Sequence, residues 1–299
     1  MTGGGYYIEY GYYPQGIATD VEPSDLKDKY KTKDTYSIRD TDCPVYNLSS
    51  GQYIKYRTST SDATEVVYKV EPVRWLILGK VTGDQTSGDQ TTEVVTDADF
   101  TVVDNKYTYT GNVKNLLVLS EKVLIAQEFN TVSSNKWVGS SIQTFMNNTF
   151  INDIFTTNEQ DKIKTTTLKT TYHDGTTLYA NDTAMKSNDK LFLLGDTIDT
   201  TGQKVEVIYV ETFSVQDYFT VTSGGTAQAK ASDLGYATGC YRSTQESYVD
   251  NTVWWLRGGI YGYNSHQRAH TIEDDGRKYQ DDSDGTWTGV RPACVIAVA

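Results

Sequence analysis

The chain has 299 residues, of which 37% are hydrophobic and 22% charged, and its formal net charge at pH 7 is −12. That charge repels a phosphate backbone, and no cluster of Lys or Arg offsets it, so we expect no nucleic-acid partner. No apolar run approaches the roughly 20 residues that a membrane-spanning helix needs, so we expect no membrane insertion.

The first third of the chain is typical of strands, because it is rich in Tyr and Thr, which both favour β structure. The predicted strands are Tyr6–Tyr13, Tyr46–Tyr56, Glu65–Val70 and a core strand over Glu71–Leu78, at the start of which Pro72 is expected to interrupt the β structure. The segment Gly79–Asn112 is polar and rich in Thr, Asp and Gly, which predicts a hairpin inserted at the surface.

The middle of the chain carries the helix signals. Ser140 or Ser141 is a helix cap, and apolar residues at helical spacing continue the pattern to Phe150. A capping-box pattern over Thr157–Gln160 opens a second short helix, and Ser232 with Asp233 caps a third. Asn115–Ala126 is predicted as a buried strand that runs into a turn or short helix. The other predicted elements are strands or hairpins at Lys164–Tyr179, Lys190–Gly195 and Gln203–Thr222, and the last of these overlaps a surface insertion at 204–228.

The last stretch, Val253–Ala299, opens with VWWLRGG and closes with GVRPACVIAVA, and both runs predict core strands. Between them, Ile260–Thr288 is polar and aromatic. A connection this long is functional or disordered in most compact domains, and its interleaved rings and amides are typical of a recognition surface. The alternative interpretation is a pair of hairpins, punctuated by glycine, that decorates the fold.

Several motifs carry a family resemblance. They are YIEYGYYPQG, EPVRWLIL, LLVLSEKVLIAQEFN, KWVGSSIQTFMNNTFINDIFTTNEQDKI, DKLFLLG, WWLRGG and GVRPA, in that order from Tyr7 to Ala293. Together the chain resembles a bacterial domain family of unassigned function, and the pair WWLR and GVRPA is the most specific part. The resemblance implies an α+β, C-type-lectin-like fold related to the formylglycine-generating enzymes. It also implies that Trp75, Trp254, Trp255, Arg257 and Arg291 belong to the scaffold.

The variable proteins of diversity-generating retroelements share this fold, and they are found in phage receptor-binding tips and bacterial surface adhesins. The chain is similar to them in this respect. In those proteins the stretch before the final strand is hypervariable, and the matching stretch here is 258–287. Gln267 and Lys278 are not of the types that such diversification reaches, so only scattered positions would vary. The ligand-binding candidates in it are Tyr261, Tyr263, Asn264, Ser265, His266, Arg268, His270, Tyr279, Asp281 and Trp287.

The enzyme alternative follows from the formylglycine-generating branch, in which copper-dependent oxidases use a close pair of cysteines. Cys240 and Cys294 do not sit in a matching motif, and whether Cys43 pairs with Cys240 stays open. Iron-dependent relatives use a histidine cluster, whereas this chain has three histidines. His266 and His270 are four residues apart, but no helix pattern surrounds them.

Acidic residues near the end of the chain raise the question of calcium. On the EF-hand template Asp282, Asp284 and Gly285 fit, but Gln280 and Arg291 occupy the first and last ligand positions, so the template fails. These acidic residues are either solvated carboxylates on a turn or, as the alternative, a calcium site in a loop that does not follow the EF-hand spacing. We therefore expect no cofactor.

Taken together, the sequence predicts one domain over residues 1–299 that is not an enzyme and that recognises a protein or glycan ligand on a cell surface. A structural subunit of a virion or surface appendage is a further alternative. The start of the chain lacks the basic and apolar segments of a secretory signal, although the resemblance points to an extracellular surface or a virion.

Overall fold

The structure is a computed structural model that describes residues 5–57, 64–83, 86–103, 106–132, 134–173, 178–180, 185–199, 208–261 and 267–298. Within these residues the chain is rich in strands and has a few short helices, as the sequence predicts. None of the described helices has the length and apolar character to cross a lipid bilayer.

The strands, in chain order, are β1 (Tyr7–Ile17), β2 (Lys31–Ile38), β3 (Thr41–Leu48), β4 (Gly51–Arg57), β5 (Glu65–Thr82), β6 (Thr91–Glu93), β7 (Phe100–Val103), β8 (Lys106–Tyr109), β9 (Asn115–Ser120), β10 (Ile125–Ala126), β11 (Ile163–Lys164), β12 (Thr166–Lys169), β13 (Thr171–His173), β14 (Leu178–Ala180), β15 (Lys186–Asp189), β16 (Thr197–Asp199), β17 (Ile208–Val210), β18 (Trp254–Tyr261), β19 (Gln267–Ile272), β20 (Lys278–Asp282), β21 (Gly289–Val290) and β22 (Ala293–Ala297). The α-helices are α1 (Ser141–Phe145), α2 (Ile151–Ile154), α3 (Thr157–Gln160) and α4 (Asp233–Ala237). Single 3₁₀ turns lie at Pro23–Asp25, Asp28–Tyr30, Asp97–Asp99, Val215–Asp217 and Glu246–Tyr248.

The largest sheet among the described residues has the order β11-β22-β9-β5-β4-β3-β2, and β1 and β6 also pair with β5. β5 is one strand of 18 residues where the sequence predicts two, because Pro72 does not interrupt it. Pro72 lies opposite Tyr12, at the end of a register shift in β1, where a missing N–H is tolerated.

The predicted insertion at 79–112 begins inside this sheet. Gly79 is paired with Leu117 of β9, and a Cβ at Gly79 would lie 2.7 Å from the Cβ of Thr92. The first four residues of the segment therefore belong to the central strand, and the part that leaves the sheet follows them. β7 and β8 form the predicted hairpin further along.

The second sheet has the order β10-β21-β18-β19-β20, and all of its strands except β10 come from the C-terminal stretch. The first predicted core strand is confirmed as β18 of this sheet, and the second is confirmed as β22, which lies between β11 and β9 in the largest sheet. The connection between them contains two further strands, β19 and β20, so its backbone follows the alternative interpretation of a hairpin pair. A bulge in β18 separates Trp255 from Gly259, and a Cβ at Gly259 would lie 2.2 Å from the carbonyl oxygen of Asn135.

The helices begin at hydroxyl caps as predicted. Ser140 Oγ accepts a hydrogen bond from Gln143 N at 3.2 Å, and Ser232 Oγ accepts one from Gly235 N at 2.9 Å. The second cap is Thr156, one residue before the predicted position, with Glu159 completing the capping box. A π turn over Met146–Phe150 joins α1 to α2, which extends the first predicted helix by one turn.

Asp153 of α2 gives the first testable consequence of this packing. Ser37 N donates to its carboxylate at 3.3 Å, but burial dominates and raises the pKa of Asp153 to about 7. A carboxyl whose pKa is raised in the folded state makes the protein less stable as the pH rises from about 4 to 7, because only the folded form keeps the proton. We expect Asp153→Asn to be about 2 kcal/mol more stable than wild type at pH 8, measured by urea denaturation.

The advantage of Asp153→Asn should shrink toward pH 4, where the wild-type carboxyl is protonated in both states. Asp161→Asn, which removes an exposed carboxylate of the same region, is the control and should leave the pH profile unchanged. Equal stability of the Asp153 variant and wild type at pH 8 would show that this carboxylate is not desolvated.

Candidate functional site

The register of β18, β19 and β20 divides the predicted contact residues between two sides of the sheet. Arg268 is opposite Asp282 and His270 is opposite Gln280, so these side chains share one side. Tyr279 and Asp281 alternate with them and occupy the other side. The ten candidates therefore do not form a single flat face.

The first side rests on a buried carboxylate, Asp196, that is fully inaccessible to solvent. Lys278 Nζ donates to both oxygens of Asp196 at 3.1 and 3.0 Å, and Gln216 Nε2 donates to Oδ1 at 2.5 Å. Nδ1 of His270 lies 2.5 Å from Oδ2. Burial alone would raise the pKa of Asp196, but the nearby His270 and Lys278 hold it below its ordinary value.

A second buried network continues from Asp196. Glu211 Oε2 accepts a hydrogen bond from Asp196 N at 3.0 Å, and its Oε1 accepts from Thr171 N at 2.6 Å. Burial raises the pKa of Glu211, although the positive charge of Arg257 opposes that shift. Asp196 and Glu211 together anchor β19 and β20 to the centre of the molecule.

Arg257 is the positive member of this region and is completely buried. It lies in the bulge of β18 and donates to the carbonyl oxygens of Leu193 at 2.6 Å and Thr212 at 2.5 Å. Trp75, Trp254, Trp255 and Arg291 are also buried, so the prediction that these five residues form scaffold is confirmed. Arg291 lies over the ring of Trp254 at 5.0 Å, which joins the two most specific motifs of the sequence.

The second side of the sheet reaches solvent at its edge strand, β20. Tyr279 is 58% exposed there. Asp281 Oδ2 accepts a hydrogen bond from Thr288 Oγ1 at 2.7 Å, which holds the segment before β21 against β20. Trp287 adjoins Thr288 and is 39% exposed, with its ring edge against Tyr241 at 5.9 Å. Both rings are therefore exposed, Tyr279 on the edge strand and Trp287 in the segment that Thr288 ties to that strand.

His270 is placed differently from the sequence interpretation. Its side chain is buried against Asp196, since β19 lies inside the sheet between β18 and β20. As folded, His270 does not reach a ligand at the surface, and its role is to position β19. Arg268 is half-buried, and its Nε donates to Asp282 Oδ1 at 2.8 Å.

The remaining candidates lie beyond what the structure describes. Tyr263, Asn264, Ser265 and His266 fall in the undescribed residues 262–266, and for Tyr261 only the backbone is described. Asp196 and Glu211 were missed by the sequence interpretation. The signal for Asp196 was its place two residues after the apolar run Leu191–Leu194, where a carboxylate is unusual.

The cysteines and acidic groups bear on the alternative chemistries. Cys43, Cys240 and Cys294 are free and buried. Burial raises the pKa values of Cys240 and Cys294 far above the ordinary thiol range, so neither is a thiolate at neutral pH. Among the described residues, no group of three or more His, Cys, Asp or Glu side chains is arranged to hold a metal ion.

A cleft of about 960 Å³ lies away from β20 and was not predicted. The two segments predicted as surface insertions line it from both sides, with Val94 from the first and Val210 from the second. The second segment is not a surface addition along its whole length, because Phe213 and Val215 are buried in the main core. Leu76 and Leu78 of β5 line the cleft between the two segments.

Hydrogen bonds fix the walls of the cleft to each other. Thr212 Oγ1 donates to the carbonyl oxygen of Gly88 at 2.8 Å, and Thr92 Oγ1 donates to Tyr218 Oη at 3.1 Å. These bonds join residues 124 and 126 positions apart in sequence. The cleft is thus a preformed feature of the folded chain.

The family model described as a domain of unknown function (DUF6273) matches residues 113–298, which is more than half of the chain. The chain belongs to the DUF6273 family. The DUF6273 match contains β9–β22 and leaves β1–β8, including the long central strand β5, before it. No curated protein and no solved structure matches the chain.

The two surfaces relate differently to the DUF6273 region. The sheet that carries Tyr279 and Trp287 lies wholly inside it. The cleft has one wall inside it, at Val210, and the other wall outside it, at Val94.

Proposed function

We propose that this protein is a non-catalytic recognition domain of the receptor-binding or adhesin type, with a C-type-lectin-like fold. Its ligand is a protein or glycan on a cell surface. The contact surface is the β20 edge, which we define as Tyr279 and Trp287 together with the Arg268–Asp282 pair on the opposite side of the same edge strand. The fold assignment is supported by the strand-rich architecture and by the resemblance carried by WWLR and GVRPA.

The observation that carries the proposal is the pair of exposed rings on a firmly held sheet. Tyr279 and Trp287 both present aromatic surface to solvent, and large aromatic side chains supply much of the binding energy at recognition surfaces. Behind them, Lys278 is fixed to Asp196 and Thr288 to Asp281. A contact surface that is already ordered loses less conformational entropy when it binds.

The charged groups of the β20 edge suit the same role. Arg268 and Asp282 form an ion pair whose side chains are partly accessible, so each can exchange its partner for a group on a ligand. Such pairs fix orientation more than they add affinity. Tyr261, Tyr263, Asn264, Ser265 and His266 stay predicted contacts.

The enzyme alternative has less support. An oxidase of the formylglycine-generating type needs reactive thiolates, whereas Cys240 and Cys294 are buried thiols with raised pKa values. For calcium, Asp281 and Asp282 already bond Thr288 and Arg268. We therefore propose that recognition requires neither a metal nor a cofactor.

The test is binding of the fluorescently labelled protein to intact bacterial cells and to an array of immobilised glycans. We expect Tyr279→Ala combined with Trp287→Ala to weaken binding to any target of the wild-type protein at least tenfold. Each ring at the centre of an interface contributes about 1 to 2 kcal/mol or more. The melting temperature should change by only a few degrees, because both rings are exposed.

Tyr12→Ala is the matched control, since Tyr12 is a similarly exposed tyrosine on β1. It should bind like wild type. Unchanged binding by the double variant would refute the β20 edge as the contact surface. A large loss of thermal stability would instead assign the two rings to the core.

A further inference from the structure

The cleft between the two walls at Val94 and Val210 has the size and lining of a small-molecule site. Its volume of about 960 Å³ is at the upper end of the range of about 300–1,000 Å³ for pockets that hold small ligands. Tyr7, Tyr218 and Phe219 supply rings to the lining, and Leu76 and Leu78 supply an aliphatic floor. An apolar or aromatic body would be well covered there.

Two of the residues that line the cleft are exposed aliphatic residues. Val94 is 76% exposed and Val210 is 56% exposed, although both are branched aliphatic residues. Both line the cleft, one from each predicted insertion. Apolar residues gathered at the mouth of a cavity lose unfavourable contact with water when a ligand enters, so their placement favours an occupant with an apolar body.

The charge of the cleft favours a cation. Lys169 and Asp89 line it, but they form an ion pair with each other. The carboxylate of Glu211 also lines the cleft, but it already accepts hydrogen bonds from the backbone N–H groups of Thr171 and Asp196. Asp217 also lines the cleft, is exposed to solvent and forms no ion pair within the described residues. It is therefore the negative group open to a ligand.

We propose that this cleft binds a small organic cation, an amine carried on an aromatic or branched aliphatic body. The amine pairs with the Asp217 carboxylate, and the body packs between the rings and the leucine floor. Of the three lining rings, Tyr7 and Phe219 already lie against the guanidinium groups of Arg74 and Arg291, so cation–π attraction for the ammonium group comes from Tyr218, which follows Asp217 in sequence. The net charge of −12 raises the local concentration of such cations. This site is separate from the β20 edge, and either assignment stands or fails without the other.

The experiment compares three probes that share an indole ring: tryptamine, tryptophol and 3-indolepropionate. Isothermal titration at low ionic strength measures their affinities for the full chain. We expect tryptamine to bind at least tenfold more tightly than tryptophol, because only the amine pairs with Asp217. Binding of 3-indolepropionate should be weaker still. Chemical-shift changes should fall on the methyl groups of Val94 and Val210.

Two variants locate the site. Asp217→Asn should remove the advantage of tryptamine over tryptophol, and Asp284→Asn, at an exposed carboxylate outside the cleft, should not. Val94→Lys places a cation at the rim and should lower tryptamine affinity at least tenfold. Val132→Lys is its matched control, because Val132 is 63% exposed and does not line the cleft.

The substituted side chains at 94 and 217 are exposed, so these variants are expected to fold. Equal or tighter binding of tryptophol or 3-indolepropionate would overturn the proposal. So would tryptamine binding that neither Asp217→Asn nor Val94→Lys weakens, and so would failure of all three probes to bind at millimolar concentration.

Discussion

Arg257→Met is expected to lower the free energy of unfolding by about 3 to 5 kcal/mol, or to prevent folding at 37 °C. Arg257 is completely buried, and its guanidinium donates to the carbonyl oxygens of Leu193 and Thr212. A methionine fills a similar volume but donates nothing, so both carbonyl groups lose a partner away from water. Glu211 also loses the positive charge that opposes the rise in its pKa.

Urea denaturation at pH 7, followed by circular dichroism, measures this loss. Arg257→Lys keeps the positive charge but cannot span both carbonyl groups, so we expect a smaller loss than for methionine. Arg242→Met is the matched control, because Arg242 is an exposed arginine paired with Asp250, and it should cost less than about 1 kcal/mol. A stability of Arg257→Met within that same limit would mean that the buried guanidinium is not needed for the fold.

The role of Arg257 was accessible from the sequence, but its partners were not. The run WWLRGG identified a scaffold strand, because alternating apolar residues followed by glycines are a local signal. The carbonyl groups that accept its hydrogen bonds belong to residues 193 and 212, which are distant in sequence. Local patterns carry no information about such pairings, so the network had to come from the structure.

The helix caps and the buried strands were likewise predicted from local chemistry. Ser140 and Ser232 cap helices as their sequence positions indicate. In contrast, the segments 79–112 and 204–228 have the polar composition of surface additions, yet they join to line a cleft and bury Phe213. Threonine makes these segments look polar in sequence although parts of them are buried. Its hydroxyl can be buried when it forms a hydrogen bond, as Thr212 does with the carbonyl oxygen of Gly88.

The predicted recognition surface also shows that residue type alone does not reveal which side chains are buried. Residue type alone grouped His270 with Tyr279, since both are polar aromatic residues on one stretch. The period of two along a strand separates them onto opposite sides, and only the pairing with β18 and β20 shows which one is covered. The contrast between a buried His270 and an exposed Tyr279 therefore follows from sheet register.

The second large effect concerns Asp196, the residue that fixes β20 to the rest of the molecule. We expect Asp196→Asn to lower stability at pH 7 by about 2 to 4 kcal/mol, because Lys278 and His270 lose the negative charge between them. Backbone amide protons of β20 should also exchange faster with solvent, since Lys278 is the first residue of that strand. Hydrogen exchange followed by NMR measures the local effect, and urea denaturation measures the global one.

The pH dependence distinguishes lost charge from lost shape. The pKa of Asp196 is held below its ordinary value in the folded state, so its ionised form contributes stability above about pH 4, and that contribution disappears as the pH falls further. The difference in the free energy of unfolding between wild type and Asp196→Asn should therefore be largest at pH 7 and become smaller below pH 4. Asp284→Asn, at an exposed carboxylate that follows β20, should show no gap at either pH. A constant gap would mean that the amide simply fits poorly. A narrowing gap together with faster exchange in β20 would mean that one buried charge holds the strand that carries Tyr279, and binding through the β20 edge should then weaken in the same variant.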